Sequence, residues 1–320
     1  MLVVGIVFFA LVVLVGSGAR NAAEDMQPGF ERDVVLAITK PADWIAGQLP
    51  LEDIVADATE PLKTGDDLGD GPGGFDDNAD PGANAEIPPV TPEAFDPVVL
   101  GAEPAAPREL DNVLVTGDSM SMPLDAILAR RLADSGITVD RDPHVGTGLS
   151  ITGIVDWGRL AVNQVEKKEP EAIVMFLGAN EGFPLKYAGK EVDCCGPEWA
   201  AAYANRARAV MNTFRQAGQA RVYWMLLPGP RDADRIKIAK AVNYAVTAAA
   251  SPYGAQVRLL DLVEIFTPNF QYRDSMDVDG DDKLVREQDG IHLNEAGAEI
   301  AADEVLAALR ADFGDQVPGG

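Results

Sequence analysis

Histidine and cysteine are scarce in this chain, and their scarcity limits the chemistry it can support. The 320 residues include two histidines, His144 and His292, and two adjacent cysteines, Cys194 and Cys195. Adjacent cysteines provide no disulfide framework, although they can form a vicinal disulfide outside the cytoplasm or remain thiols. So few sulfur and imidazole groups argue against a zinc site. A histidine that acts as a general base must be one of the two.

Positive charge is also sparse. Lysine and arginine number 26 against 51 aspartates and glutamates, which gives a formal net charge of −25. Nucleic acids and anionic lipid surfaces attract proteins that have an excess of positive charge. We therefore expect no nucleic-acid partner. Hydrophobic residues make up 47% of the chain, enough for the core of one large domain or two small ones.

One long apolar run lies at the N-terminus. Residues 2–15 are almost wholly apolar, and with residues 16–19 they reach the lower limit for crossing a bilayer. No basic residue precedes the run, whereas a cleavable signal normally begins with a basic region. We expect residues 1–20 to be a signal anchor that holds an exported protein at the cell membrane, facing the periplasm or exterior. A cleaved signal peptide, and hence a secreted protein, is the alternative.

Two segments of different composition follow. Residues 21–61 carry a weak helical periodicity that two prolines interrupt, which predicts a juxtamembrane helical segment. Residues 62–108 are rich in glycine, proline and aspartate, with ten acidic residues and no basic residue within 65–106. Such a composition buries too little apolar surface to fold alone. We expect an acidic, disordered linker there.

Strands and helices alternate from residue 109 onward. Strands separated by helices indicate a parallel sheet with helices on both faces. We predict a flavodoxin-like, three-layer α/β/α domain over 109–313, with a five-stranded sheet of order 2-1-3-4-5, and a tail over 314–320. Apolar runs place the strands at 113–116, 137–140, 172–177, 221–227 and 257–262.

Three polar motifs lie where such a fold forms its sites. Gly117-Asp118-Ser119 follows the first strand, Gly178-Ala179-Asn180 follows the third, and Asp289-Gly290-Ile291-His292 precedes the last helix. In open parallel sheets, sites form beyond the carboxyl ends of the strands where the strand order reverses. Here that point lies between the first and third strands. The order predicts that Ser119 and Asn180 are neighbours.

Ser119 alone has two interpretations. It stands where a strand gives way to a helix, a place where serine is a frequent N-cap. Unpaired N–H groups and the helix dipole at the same place also suit a nucleophile. The Gly-x-Ser-x-Gly elbow of the α/β-hydrolases is absent because Ser121 occupies its last position. Ser121 is a weaker nucleophile candidate in the first helical turn.

Together the motifs resemble those of the SGNH (GDSL-type) hydrolases, over residues 110–311. The likeness is closest to the exported, often membrane-tethered bacterial branch, which shares Thr147-Gly148-Leu149 followed by Asp156-Trp157. The residues that give the family its name are matched in the family order by Ser119, Gly148, Asn180 and His292.

The resemblance implies a serine esterase that needs neither metal nor cofactor. Ser119 would be the nucleophile, His292 the general base, and Asp289 the group that orients the imidazole. The oxyanion hole would comprise the N–H of Ser119, the N–H of Gly148 and the side chain of Asn180.

Two positions depart from the family pattern or leave a choice. The glycine of the oxyanion hole could also be Gly146. The family often has aspartate after its asparagine, whereas this chain has Glu181, a change we expect to be tolerated.

Location and resemblance together predict the substrate class. We expect hydrolysis of acetyl or other short acyl esters on a cell-envelope or extracellular carbohydrate. An O-acyltransferase of envelope glycans that uses the same site is one alternative. A catalytically silent envelope-binding module is another, although intact motif residues argue against it.

Two further features have other interpretations. His144 precedes the glycine-containing loop and is either structural or directed towards the substrate. The acidic stretch 277–282 fails the spacing of an EF-hand, so we predict a hairpin turn instead.

Overall fold

The computed structural model describes residues 74–75 and 108–318 of the chain. Four parallel pairings build a five-stranded sheet of order β2-β1-β3-β6-β7, which is the predicted 2-1-3-4-5 order. The predicted fold class is confirmed. The strands in chain order are β1 (Asn112–Gly117), β2 (Thr138–Pro143), β3 (Ala172–Phe176), β4 (Leu185–Tyr187), β5 (Lys190–Val192), β6 (Arg221–Leu226), β7 (Val257–Asp261), β8 (Ser275–Val278) and β9 (Asp281–Leu284).

Two groups of helices form the outer layers. The helices are α1 (Met122–Leu132), α2 (Trp157–Lys168), α3 (Pro197–Phe214), α4 (Ala233–Ala250), α5 (Leu262–Phe266) and α6 (Glu295–Phe313). Helix α1 packs against α6, and α2, α3 and α4 pack side by side. Within the described residues, no helix combines the length and apolarity needed to cross a bilayer.

The three central strands are buried on both faces, because helices cover the sheet on either side. Every residue of β3 is buried, and β1 and β6 are buried except at one end. Such strands form uninterrupted apolar runs, which is why the sequence locates them well. The edge strand β2 is polar and partly exposed, and it extends three residues beyond its predicted end.

Glycine at the end of β1 allows the site to form. Gly117 has φ +145°, and a Cβ there would collide with the backbone carbonyl of Phe176 on β3. Only glycine fits between the two strands at this point. The chain can therefore turn sharply above the sheet at the predicted reversal of strand order.

Smaller elements complete the domain. β4 and β5 form a hairpin that the sequence did not predict, and β8 and β9 form the hairpin predicted around 277–282. Cys194 and Cys195 are joined in a vicinal disulfide. Val317 is buried within the predicted tail. The predictions for residues 1–61, and for most of the linker, lie outside the described residues.

Candidate active site

Ser119 begins a short 3-10 turn, Ser119–Ser121, between β1 and α1. Asp118 is the N-cap of this turn, since its Oδ1 accepts a hydrogen bond from the Met120 amide at 2.9 Å. The interpretation of Ser119 as the cap is therefore wrong by one residue. The Ser119 side chain contacts His292 instead, and its Oγ lies 2.7 Å from the His292 Nε2. Ser121 is buried and donates to the Asp118 carbonyl, away from the site.

His292 and Asp289 lie on one tight loop before α6. The His292 Nδ1 is 2.5 Å from Asp289 Oδ2. Asp289 Oδ1 accepts hydrogen bonds from the backbone amides of Ile291 and His292 at 2.8 and 3.1 Å. Partial burial acts to raise the pKa of Asp289, but these amides and the imidazole outweigh it, so the pKa is lowered. The carboxylate therefore stays ionised and orients the ring.

The three side chains form a hydrogen-bonded chain that runs from Ser119 through His292 to Asp289. With Nδ1–H donated to the carboxylate, Nε2 carries the lone pair that faces the serine hydroxyl. The Oγ–Nε2 distance lies in the range for direct proton transfer. The arrangement can therefore deprotonate Ser119 as it attacks a carbonyl carbon.

Buried Asp118 joins the first motif to the second. Its Oδ2 accepts hydrogen bonds from the amides of Gly178 and Ala179 at 2.9 and 2.8 Å. The Asn180 side-chain amide lies 3.4 Å from the same oxygen and donates to the Thr147 carbonyl at 3.2 Å. Burial raises the pKa of Asp118 to about 6, although the backbone amides oppose this shift. One carboxyl group thus fixes Asn180 beside the nucleophile.

The Glu181 side chain binds the loop that contains Gly148. A Cβ on Gly148 would lie 2.9 Å from the Glu181 carboxyl group, which would have to move to make room for it. Burial raises the pKa of Glu181, while its hydrogen bonds act to lower it. The carboxylate accepts from the amides of Leu149 and Ser150 at 2.6 and 2.8 Å, from the Ser150 hydroxyl, and from the Tyr203 hydroxyl at 2.9 Å.

The surroundings of Gly148 and Gly146, the two candidates for the glycine of the oxyanion hole, differ. Gly148 is buried and directly follows Thr147, the residue whose carbonyl receives Asn180. Gly146 has φ +77°, and a Cβ there would meet open space. Gly148 forms an isolated antiparallel bridge with Ile151, whose amide donates to the Gly148 carbonyl at 3.2 Å.

The structure therefore brings the predicted site residues into one place. Ser119, His292 and Asp289 are in direct contact, and Asn180 is tied to the carboxyl group beside Ser119. His144 is buried instead. Its Nε2 is 3.3 Å from Asp142 Oδ1 and its ring meets that of Trp157 edge-on, which fits its structural interpretation.

The supporting carboxyl groups of Asp118 and Glu181 were not assigned these roles from the sequence. Both directly adjoin motif residues, and that adjacency was the available signal. Within the described residues, no cluster of side chains is suited to a metal ion.

An apolar cleft lies beside the motifs that contain Ser119 and His292. Its position follows from the motifs, because Met120 and Ile291 directly adjoin Ser119 and His292 in the chain. Arg235 is the charged residue in its wall and donates to the Ala179 carbonyl at 2.8 Å. The remaining lining comes from Gly178, Ala179, Leu227, Pro228, Pro230, Ile238 and Ala239.

The raised pKa of Asp118 makes a prediction about stability. A carboxyl group whose pKa rises from 3.8 to about 6 on folding binds its proton more tightly in the folded state. Its contribution to stability therefore falls as pH rises from about 4 to about 6. Above about pH 6 this contribution no longer changes with pH. The stability advantage of the native protein over Asp118→Asn should shrink by about 2 kcal/mol between about pH 4.5 and pH 7.

Urea unfolding of both proteins at the two pH values measures this difference. Asparagine does not titrate, so the comparison separates Asp118 from the other carboxyl groups. A difference in unfolding free energy that does not change with pH would contradict the prediction.

Comparison with known proteins gives one family and several similar structures. The profile of a family described as "Protein of unknown function (DUF459)" matches residues 112–308. No curated protein matches the chain. A lipase/acylhydrolase from Enterococcus faecalis is 15% identical with a TM-score of 0.43, covering 63% of this chain and 96% of that one.

Two further structures are similar at the same level. An active-site mutant of a family two carbohydrate esterase from Clostridium thermocellum is 14% identical with a TM-score of 0.43, covering 67% of this chain and 66% of that one. The C-terminal catalytic domain of a peptidoglycan O-acetyltransferase from Streptococcus pneumoniae is 15% identical with a TM-score of 0.41, covering 66% of this chain and 97% of that one.

Proposed function

The chain belongs to the DUF459 family, and we propose that it is a serine esterase of the SGNH type. The observation that carries the proposal is the relay from Ser119 Oγ to His292 Nε2 and from His292 Nδ1 to Asp289. Three side chains from opposite ends of the domain meet here at hydrogen-bond distance. A merely structural serine needs no such partner.

The proposed reaction has two halves. Ser119 Oγ attacks the ester carbonyl while His292 Nε2 takes its proton, and the N–H groups of Ser119 and Gly148 with the Asn180 amide stabilise the oxyanion. The C–O bond to the alcohol then breaks, and His292 returns the proton to the leaving oxygen. Water, deprotonated by His292, attacks the acyl-enzyme and releases the carboxylic acid and free Ser119.

The cleft supports a short acyl chain as the group that is removed. Its walls are apolar and begin at residues adjoining the nucleophile and the base, so an acyl chain on Ser119 would extend into it. We propose further that the enzyme is exported, is anchored through residues 1–20, and acts on acylated envelope carbohydrate.

The first test is turnover of p-nitrophenyl esters by the full-length chain. We expect release of p-nitrophenol from the acetate, and kcat/KM rising by about fourfold per added methylene until the cleft is full, because each buried methylene contributes about 0.8 kcal/mol. Ile238→Trp should remove the gain for longer chains and leave acetate turnover largely intact. Lys237→Trp, exposed on the same helix, is the matched control.

The outcomes separate the candidate functions. Acyl groups recovered on an added glycan acceptor, in place of free acid, would identify a transferase. Absence of turnover over the whole panel, with no acyl adduct on Ser119 by mass spectrometry, would overturn the proposal and favour a silent binding module.

A further inference from the structure

Residues 74 and 75 belong to the acidic segment predicted to be a disordered linker, yet they contact the domain. The backbone amide of Phe75 donates to Asp156 Oδ2 at 2.8 Å, across 81 positions of sequence. Asp156 uses its other oxygen to cap α2, accepting from the amides of Gly158 and Arg159. One carboxylate thus binds the start of a helix and a distant piece of chain together.

The Phe75 side chain has its own contacts. It is half-buried against the core, and the Arg206 guanidinium carbon lies 5.1 Å from the centre of its ring. Such a cation–π contact holds a guanidinium group in place. Gly74 also fits closely, because a Cβ there would displace the Arg159 side chain. The contact therefore has a backbone component, a ring component and a close approach between Gly74 and Arg159.

Arg206 links this contact to the active site. Its Nη1 donates to the Leu149 carbonyl at 2.6 Å, and Leu149 directly follows Gly148. The opposite side of the same peptide segment is held by Glu181, which accepts from the Leu149 amide. The ring of Phe75 therefore contacts Arg206, and Arg206 binds the loop that contains Gly148.

We propose that Gly74 and Phe75 form an anchor that binds the segment preceding the domain at the start of α2 and stabilises the Gly148 loop through Arg206. The anchor is a positioning element and touches none of the triad residues. Its existence does not depend on the esterase proposal, since the binding can be measured without a substrate.

Amide hydrogen exchange in the full-length chain tests the proposal. Phe75→Ala keeps the backbone amide but removes the ring, so it should raise the exchange of residues 148–151 by roughly three- to tenfold, the range that loss of a partly buried cation–π contact provides. Phe75→Tyr keeps the ring and should leave exchange near the native rate. Phe95→Ala, the other aromatic residue in 62–108, is the matched control and should have no effect.

A double-variant cycle tests the route through Arg206. In an Arg206→Ala background, where exchange of the loop is already faster, adding Phe75→Ala should change nothing further. Unchanged exchange in the single Phe75 variant, or an equal rise in the Phe95 variant, would overturn the anchor. A full additional rise in the Arg206→Ala background would overturn the coupling to the loop.

Discussion

Ser119→Ala should lower kcat/KM for p-nitrophenyl acetate by at least about a thousandfold, and His292→Ala by a similar factor. The two side chains work as one unit, so loss of either removes the activated nucleophile and leaves only the oxyanion hole and binding. The double variant should therefore be no worse than the single ones. Steady-state rates measured together with thermal unfolding distinguish lost chemistry from lost structure.

Ser121→Ala provides the comparison within the same turn. Its hydroxyl bonds to the Asp118 carbonyl and not to the imidazole, so we expect activity within about tenfold of native. More than a tenth of native activity remaining in Ser119→Ala would show that another residue attacks the ester. A large loss in Ser121→Ala with Ser119→Ala active would reassign the nucleophile.

Glu181→Ala should be the most damaging change outside the triad. Removing the carboxylate leaves the Leu149 and Ser150 amides and the Tyr203 hydroxyl buried without their acceptor. Each unpaired group costs about 1–3 kcal/mol, so we expect a loss of about 4 kcal/mol in the free energy of unfolding. Urea denaturation measures the loss. Activity should fall too, because the Gly148 loop loses its support.

Graded variants keep this prediction testable if the alanine variant does not fold. Tyr203→Phe removes one donor and spares the loop amides, so about 1 kcal/mol is expected. Glu191→Ala on β5 is exposed and should change stability by less than about 0.5 kcal/mol. A Glu181 variant as stable as the Glu191 variant would show that the buried carboxylate is dispensable.

The sequence predicted the placement of those site residues whose type and position in an element both point to the same place in the fold. Ser119, Asn180 and His292 each follow a strand or precede a helix, and strand order alone makes the first two neighbours. The central strands were located because burial on both faces produces uninterrupted apolar runs.

The supporting residues could not be found in this way. An acidic residue beside a glycine, as at Asp118, is typical of a solvated turn. Its amide partners lie 60 positions away in the sequence and become known only from the structure. The role of Glu181 depends on amides more than 30 positions earlier in the chain. Phe75 is a single aromatic residue in a segment whose composition indicates disorder, and its partners belong to α2 and α3. The roles of Asp118, Glu181 and Phe75 depend on tertiary contacts, which sequence patterns do not show.

The loop that carries His292 reduces the conformational entropy that the acid–base pair has to lose during catalysis. The Glu287 amide donates to the His292 carbonyl at 2.9 Å, and the Arg231 amide donates to the Gly290 carbonyl at 2.9 Å. With the Asp289 bonds, these contacts hold the imidazole and its carboxylate in one orientation before any ester arrives. The freedom that the acid–base pair would otherwise lose at each turnover is already lost on folding, so substrate binding energy is left to align only the ester with Ser119 Oγ.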